Sequence, residues 1–233
     1  MAFCGFIAAL LLVGLTESAR PDDKPADNLS PEQIFKKVQA TYDSMTSYSD
    51  KGKTVALDSD IRYEKFNAFI TFTTKLARPG LYRIEWEYID DVSRTSTKKD
   101  TLSAWSAGEG DFWDIGKGAE KQKSQSWTLL RRGGHSGGAT LTIPGIFFKM
   151  HWSHLLEEFG AYGKREADEK VADIDCYVFF KDDQVKQTLW IGKQDYLIHQ
   201  FRTVSTGQSN VTSTETHSDI AINQKFLPKD FTP

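Results

Sequence analysis

The chain has 233 residues, 39% apolar and 26% charged, so it is long enough for a sizeable core and has the composition of an ordinary globular protein rather than a disordered or fibrous one. A net charge of −3 gives no electrostatic reason to expect nucleic acid, whose phosphates need a basic face. With no internal duplication, one domain of the larger all-β or α+β kind is expected.

Ala2 to Leu15 (AFCGFIAALLLVGL) is a charge-free apolar run, too short to span a bilayer but of the length of a secretory h-region. Small residues follow at Ser18 and Ala19, where cleavage fits. The competing reading is a buried N-terminal helix or strand, and the missing Lys and Arg before the run speak for it. Export is the expectation, with residues 1–19 as the signal. Cys4 would leave with it, so Cys176 would stand alone in the mature chain without an intramolecular disulfide, as a small buried residue. Residues 20–29 (RPDDKPADNL) are charged and proline-containing, a flexible leader to a single domain over 30–233.

A helix is expected to start at Ser30. Ser30 is an N-cap, Pro31 suits the first helical position, and Glu32 and Gln33 suit the positive end of the dipole. Ile34, Val38, Tyr42 and Met45 recur at helical spacing, one apolar stripe running to about Thr46. From Tyr48 to about Gly116 strand follows strand, with turn signals at Asp58-Ser59-Asp60, Arg78-Pro79-Gly80, Asp90-Asp91 and Gly108-Glu109-Gly110. Within it, FNAFITFTTKLARPGLYRIEWEY alternates with period two. Phe66, Ala68, Ile70, Phe72 and Leu76 share one face of the first arm, with Thr74 and Phe69 as exceptions, and Tyr82, Ile84, Trp86 and Tyr88 share one face of the second. So wide an aromatic surface needs a cover, either helices or a greasy ligand. The next hairpin carries Phe112, Trp113 and Ile115.

The period changes between Ser124 and Gly160. SQSWTLLRRGG, with Trp127, reads as a short helix stopped by Gly133 and Gly134, and HSGGA as an open loop containing Gly137 and Gly138. TIPGIFFKMHWSHLLEEFG is helical or irregular. Its Ile146, Phe147, Phe148, Met150 and Trp152 are more apolar than a surface helix needs, so the segment is deeply buried or covers something removable. Strands resume from Tyr162 to Ile222, and the tail docks Phe226 and Phe231.

Signals for chemistry are weak. GGHSGG lacks the Gly-Lys-Ser/Thr of a phosphate loop, and His135 beside Ser136 is not a triad, whose members meet from distant segments. His151 and His154 stand at i and i+3, whereas the zinc helix uses i and i+4 with an intervening Glu. Neither an enzyme nor a metal or other cofactor is expected. The sequons at Asn28 and Asn210 matter only in a eukaryotic secretory pathway.

LARPGLYRIEW at Leu76 to Trp86, GEGDFWDIG at Gly108 to Gly116, LWIGKQDYLIHQFRTV and the terminal IAINQKFLPKDFTP together resemble the periplasmic outer-membrane lipoprotein carriers, the LolA- and LolB-like proteins, and their lipoprotein-sorting-like relatives. The resemblance covers nearly the whole mature chain. It implies an α+β fold, a strongly bent antiparallel sheet or incomplete barrel, with an N-terminal helix and helical lid segments over an apolar concave face. It also implies a soluble periplasmic protein, expected as a monomer, that binds a lipid or lipoprotein acyl chain. The alternative is a non-enzymatic envelope sensor of the same fold with a membrane-associated protein partner. Groove positions would be Ile70, Phe72, Tyr82, Ile84, Trp86 and Trp113. The lid and hinge would be Trp127, Gly133, Gly134, Gly137, Gly138, Ile146, Phe147 and Met150. Arg78 matches the family's arginine before the turn proline, associated with holding the lid, and hydrogen bonds to lid backbone carbonyls are expected of it.

Overall fold

The computed structural model describes residues 28–58, 67–90, 98–114, 118–121, 142–150, 154–205 and 211–232. Helix α1 (Pro31–Ser44) begins where its cap chemistry places it. The Ser30 hydroxyl accepts from the Gln33 amide and the Gln33 side chain accepts from the Ser30 amide, a reciprocal capping box. The stripe Ile34, Val38, Tyr42 and Met45 is no more than 1% exposed, and Phe35 joins it.

Strands β1 (Ser47–Asp58), β2 (Asn67–Ala77), β3 (Leu81–Asp90), β4 (Lys98–Ser106), β5 (Asp111–Asp114) and β6 (Glu120–Lys121) form an antiparallel meander. Two short helices, α2 (Thr142–Phe147) and α3 (Leu155–Tyr162), come next. Strands β7 (Lys164–Arg165), β8 (Glu169–Val171), β9 (Ile174–Asp182), β10 (Val185–Gly192), β11 (Ile198–Ser205) and β12 (Val211–Ile222) follow. A 3-10 turn, Pro228–Phe231, buries Phe231 against Phe226.

All twelve described strands belong to one sheet, in the order β6-β5-β4-β3-β2-β1-β12-β11-β10-β9-β7, with β8 paired to β9 off this path. Strands β6 and β7 end the order and, among the described residues, do not pair with each other, so the sheet is open. Laid flat, eleven strands in a row would span roughly 50 Å at the usual inter-strand spacing. Yet Ile70, Trp86 and Ala104 from one half share a single buried cluster with Tyr177, Phe179, Leu189 and Ile198 from the other, and α1, α2 and α3 contribute to it. The sheet therefore curls around its helices. This is the expected fold class, a bent antiparallel sheet with helices on one face, called here the inner face.

From Ala68 to Leu76 and from Tyr82 to Tyr88 the alternation holds, while Phe66 lies outside the described residues. Thr74 is 2% exposed and lies on the inner face, opposite Asp50 of β1, while Phe69 lies outward at 41%. In β9 both faces are covered. Tyr177 and Phe179 join the main core, and Cys176 and Val178 join a small outer cluster with Trp190 and with Val171 of β8. Burial raises the Cys176 thiol to about 11, so this cysteine is the inert packing residue expected of it.

Gly52 sits between two inner-face rings. It pairs with Phe72 on one side and His217 on the other, and a Cβ there would lie 2.1 Å from Phe72 Cζ and 2.7 Å from the Thr216 carbonyl. The absent side chain is what lets Phe72 lie across β1. Gly52→Ala is accordingly expected to destabilise by about 1–3 kcal/mol through overpacking, read from the urea midpoint.

Candidate functional site: the helix-covered inner face

The expected groove positions converge. Ile70, Phe72, Tyr82, Ile84 and Trp86 are 0–3% exposed and belong to one cluster with Ile143, Ile146, Phe147 and Met150 of the α2 region. Trp113 lies in β5 opposite Ala104, with its side chain outside the described part. Trp127, Gly133, Gly134, Gly137 and Gly138 lie outside the described residues, as do His135, Ser136 and His151. His154 is exposed beside Glu157, the wet-side position its spacing suggested.

Arg78 occupies the rim turn between β2 and β3, and among the described residues its side chain bonds carbonyls of the α1 end, whereas residues 122–141 of the expected lid lie outside the described part. Nε donates to the Met45 carbonyl at 2.9 Å and Nη2 to the Tyr42 carbonyl at 3.2 Å, both at the end of α1. At the helix terminus the Tyr42 carbonyl otherwise accepts, among the described residues, only a 3.4 Å bond from the Met45 amide, and a guanidinium fork can serve two such carbonyls at once. Arg78 meets α2 through the ring face of Phe147, 4.7 Å from the guanidinium carbon. A second tie from α1 to the α2 region is the ion pair of Lys149 with Asp43 at 2.9 Å, on side chains 57% and 36% exposed. Burial raises the Asp43 carboxyl, but Lys149 and Gln39 outweigh it and hold it below the usual carboxylate range. Beside this tie an opening of about 510 Å³ reaches Ile146, Met150 and Leu156.

The inner face also holds a buried ionic trio that sequence reasoning missed. In the alternating run of β12, Glu215 and His217 point inward, where Glu215 pairs with Thr54 and His217 with Gly52. The β1–β12 register shifts between Ser49 and Lys51, and Asp50 stands at that irregularity. His217 Nδ1 bonds Asp50 Oδ2 at 2.7 Å, and the Tyr48 hydroxyl donates to the same oxygen at 2.9 Å. His217 Nε2 lies 2.9 Å from Glu215 Oε1, an ion-pair separation, though the angle falls outside hydrogen-bond geometry. The Thr142 hydroxyl, at the start of α2, donates to Glu215 Oε2 at 3.2 Å. Burial works against the imidazolium, but the Asp50 and Glu215 carboxylates prevail and raise His217 to about 10. The signal was present: a long strand with hydroxyl, acid and imidazole on both faces cannot face an apolar core without internal pairing.

A different groove, of about 710 Å³, runs over the outer face. Register sets two rows there, Ser218-Lys51-Thr73-Glu85 and Thr216-Lys53-Thr71-Glu87. Among the described residues no helix is long and apolar enough to cross a membrane, and no His, Cys, Asp and Glu group is arranged to hold a metal ion.

No family model and no curated protein matches the chain. Among solved structures it is similar to an outer-membrane lipoprotein-sorting protein domain from Vibrio parahaemolyticus, at 12% identity and TM-score 0.35, covering 86% of this chain and 95% of that one. A LolA superfamily protein from Nitrosomonas europaea matches at 12% identity and TM-score 0.38, over 88% and 98%. The Pseudomonas aeruginosa MucA/MucB complex matches at 9% and 0.41, over 87% of this chain and 60% of that one.

A histidine whose folded pKa is raised stabilises fully below its unfolded value, near 6.5, and loses that contribution as pH rises through about 10. Between pH 6.5 and 10 the wild-type unfolding free energy should therefore fall more steeply than that of His217→Gln. Parallel pH profiles from denaturant titration would refute the charged trio.

Proposed function

We propose that the protein is an exported, periplasmic carrier that takes an apolar chain, a lipid or a lipoprotein acyl group, between the inner face of its sheet and its helices. The observation that carries this reading is how the cover is attached. A wide aromatic face is closed by the α2 region, and the described polar ties linking α1 with that region and the β2–β3 turn are Arg78 and the exposed Lys149–Asp43 pair. The polar part of that attachment is weak, since exposed ion pairs are worth roughly 0–1 kcal/mol, so what an entering chain must replace is chiefly apolar burial. The opening at Ile146, Met150 and Leu156 lies where it would first part. An acyl chain entering there gains roughly 0.8 kcal/mol per buried methylene, so binding needs no catalytic group.

Solvent extraction and mass spectrometry of material copurifying with the chain is the direct test, and acyl lipid in near-stoichiometric amount is the expected result. Trp86→Ala separates a lining role from a purely structural one. If the ring is only core, the variant loses ~3–5 kcal/mol of stability; as a groove wall it loses lipid with a smaller shift in melting temperature. Arg78→Leu should speed hydrogen exchange across residues 142–150 and ligand release more than it lowers stability. Identical exchange with and without an acyl ligand, in wild type and variant, would overturn the carrier reading.

A further inference from the structure

The ionic trio does not close on itself. Asp50, Glu215 and His217 have side chains 0–2% exposed, and two carboxylates against one imidazolium leave a formal charge of −1 inside the protein. Buried charge without a counter-ion is costly, and the described residues supply no further cation to this cluster. Three acceptors in the cluster lack a hydrogen-bond partner among the described residues: Asp50 Oδ1, Glu215 Oε1 and Thr54 Oγ1. Asp50 and Glu215 lie on opposite sides of the imidazole, one at each ring nitrogen, so a single small group cannot reach both. Thr54 and Glu215, however, are register partners on the same face, and Thr54 is fully buried with its hydroxyl unpaired.

What lies next to this pair fixes the class of ligand. Along the register Thr54 is followed by Ile70, and the adjacent row runs from Gly52 to Phe72 and Trp86, an apolar path leading away from Glu215. Above it the Thr142 hydroxyl of α2 donates to Glu215 Oε2, so lifting the helix would free that oxygen, while Oε1 stays facing His217 Nε2 at 2.9 Å. An anionic head is disfavoured by the two carboxylates, and no metal-holding arrangement exists among the described residues. A protonated amine matches what remains, with a positive charge and three donors for acceptor-only oxygens and a hydroxyl.

We propose that Glu215 and Thr54, uncovered when Thr142 leaves with α2, form the head-group subsite of the groove and select a protonated amine at the end of an apolar chain. This rests on the carrier reading above and adds the polarity of its cargo.

Calorimetric titration of the purified protein at pH 7 with dodecylammonium, dodecanol and dodecanoate, each below its micellar concentration, tests it. Dodecylammonium should bind about tenfold or more tighter than dodecanoate, the usual scale of a charge-assisted hydrogen bond. Glu215→Gln should erase that preference and leave dodecanol within about twofold, and Thr54→Val should weaken the amine alone by about threefold. If Glu215→Gln does not fold, Thr54→Val and Thr142→Ala carry the comparison. Equal or tighter binding of dodecanoate, or a preference untouched in the variants, overturns the subsite while the carrier reading stands. Failure of all three chains to bind overturns the carrier reading and the subsite together.

Discussion

Tyr42 of α1 is fully buried and accepts a hydrogen bond from the Ile198 amide of β11, while the same helix ends under the guanidinium of Arg78 in the turn between β2 and β3. One helix is thereby fastened to both halves of a sheet whose two meanders meet at the β1–β12 pairing. Remove that helix and the curl loses much of its filling, because Ile34, Phe35, Val38 and Tyr42 share one buried cluster with the aromatic residues of both halves. Burial also pushes the Tyr42 hydroxyl well above its usual value, so it stays neutral and its bond to β11 is insensitive to pH.

Where the two meanders join, the inner face changes character. From β4 to β2 it is mainly apolar, with Ala104, Tyr82, Ile84, Trp86, Ile70, Phe72 and Leu76 beside the polar Thr74; at β1 and β12 Asp50, Thr54, Glu215 and His217 enter it beside Tyr48. A continuous apolar lining would bury more surface and tolerate slippage between β1 and β12, since a shift of two residues would change little. A paired imidazolium does not tolerate it, because any slip separates His217 from one of its carboxylates. The register shift that brings Asp50 to Nδ1 is part of the same arrangement.

The fold was largely legible because its long elements repeat simple periods. Ser30, Pro31 and Gln33 marked the start of α1, and period two assigned both faces of β2 and β3. Thr74 and Phe69, exceptions to polarity, were never exceptions to geometry. What escaped the sequence depends on pairing between distant strands. Gly52 reads as an ordinary interruption until Phe72 and His217 are known to flank it, and the partners of Glu215 lie in β1 and α2, far away in sequence. Arg78 was found by its turn, but its acceptors could not be, because which carbonyls lie within reach is decided by where α1 ends.

The closed inner face sets the energetics of the proposed cargo. Ile70, Phe72, Tyr82, Ile84 and Trp86 are 0–3% exposed, so a ligand does not fill an empty groove but exchanges with the protein's own side chains. Withdrawing the α2 region exposes Ile143, Ile146, Phe147 and Met150, a cost of roughly 6–12 kcal/mol for these four at about 1.5–3 kcal/mol per buried apolar side chain, while the entering chain covers again the sheet residues they leave. A twelve-carbon chain returns on the order of 10 kcal/mol before its ordering is charged. The exchange is nearly balanced, and in a nearly balanced exchange weak polar ties decide the outcome. The Lys149–Asp43 pair, the Arg78 fork and the Thr142–Glu215 bond act on that margin, which is why a face built almost entirely of hydrocarbon would be governed by its few charged residues.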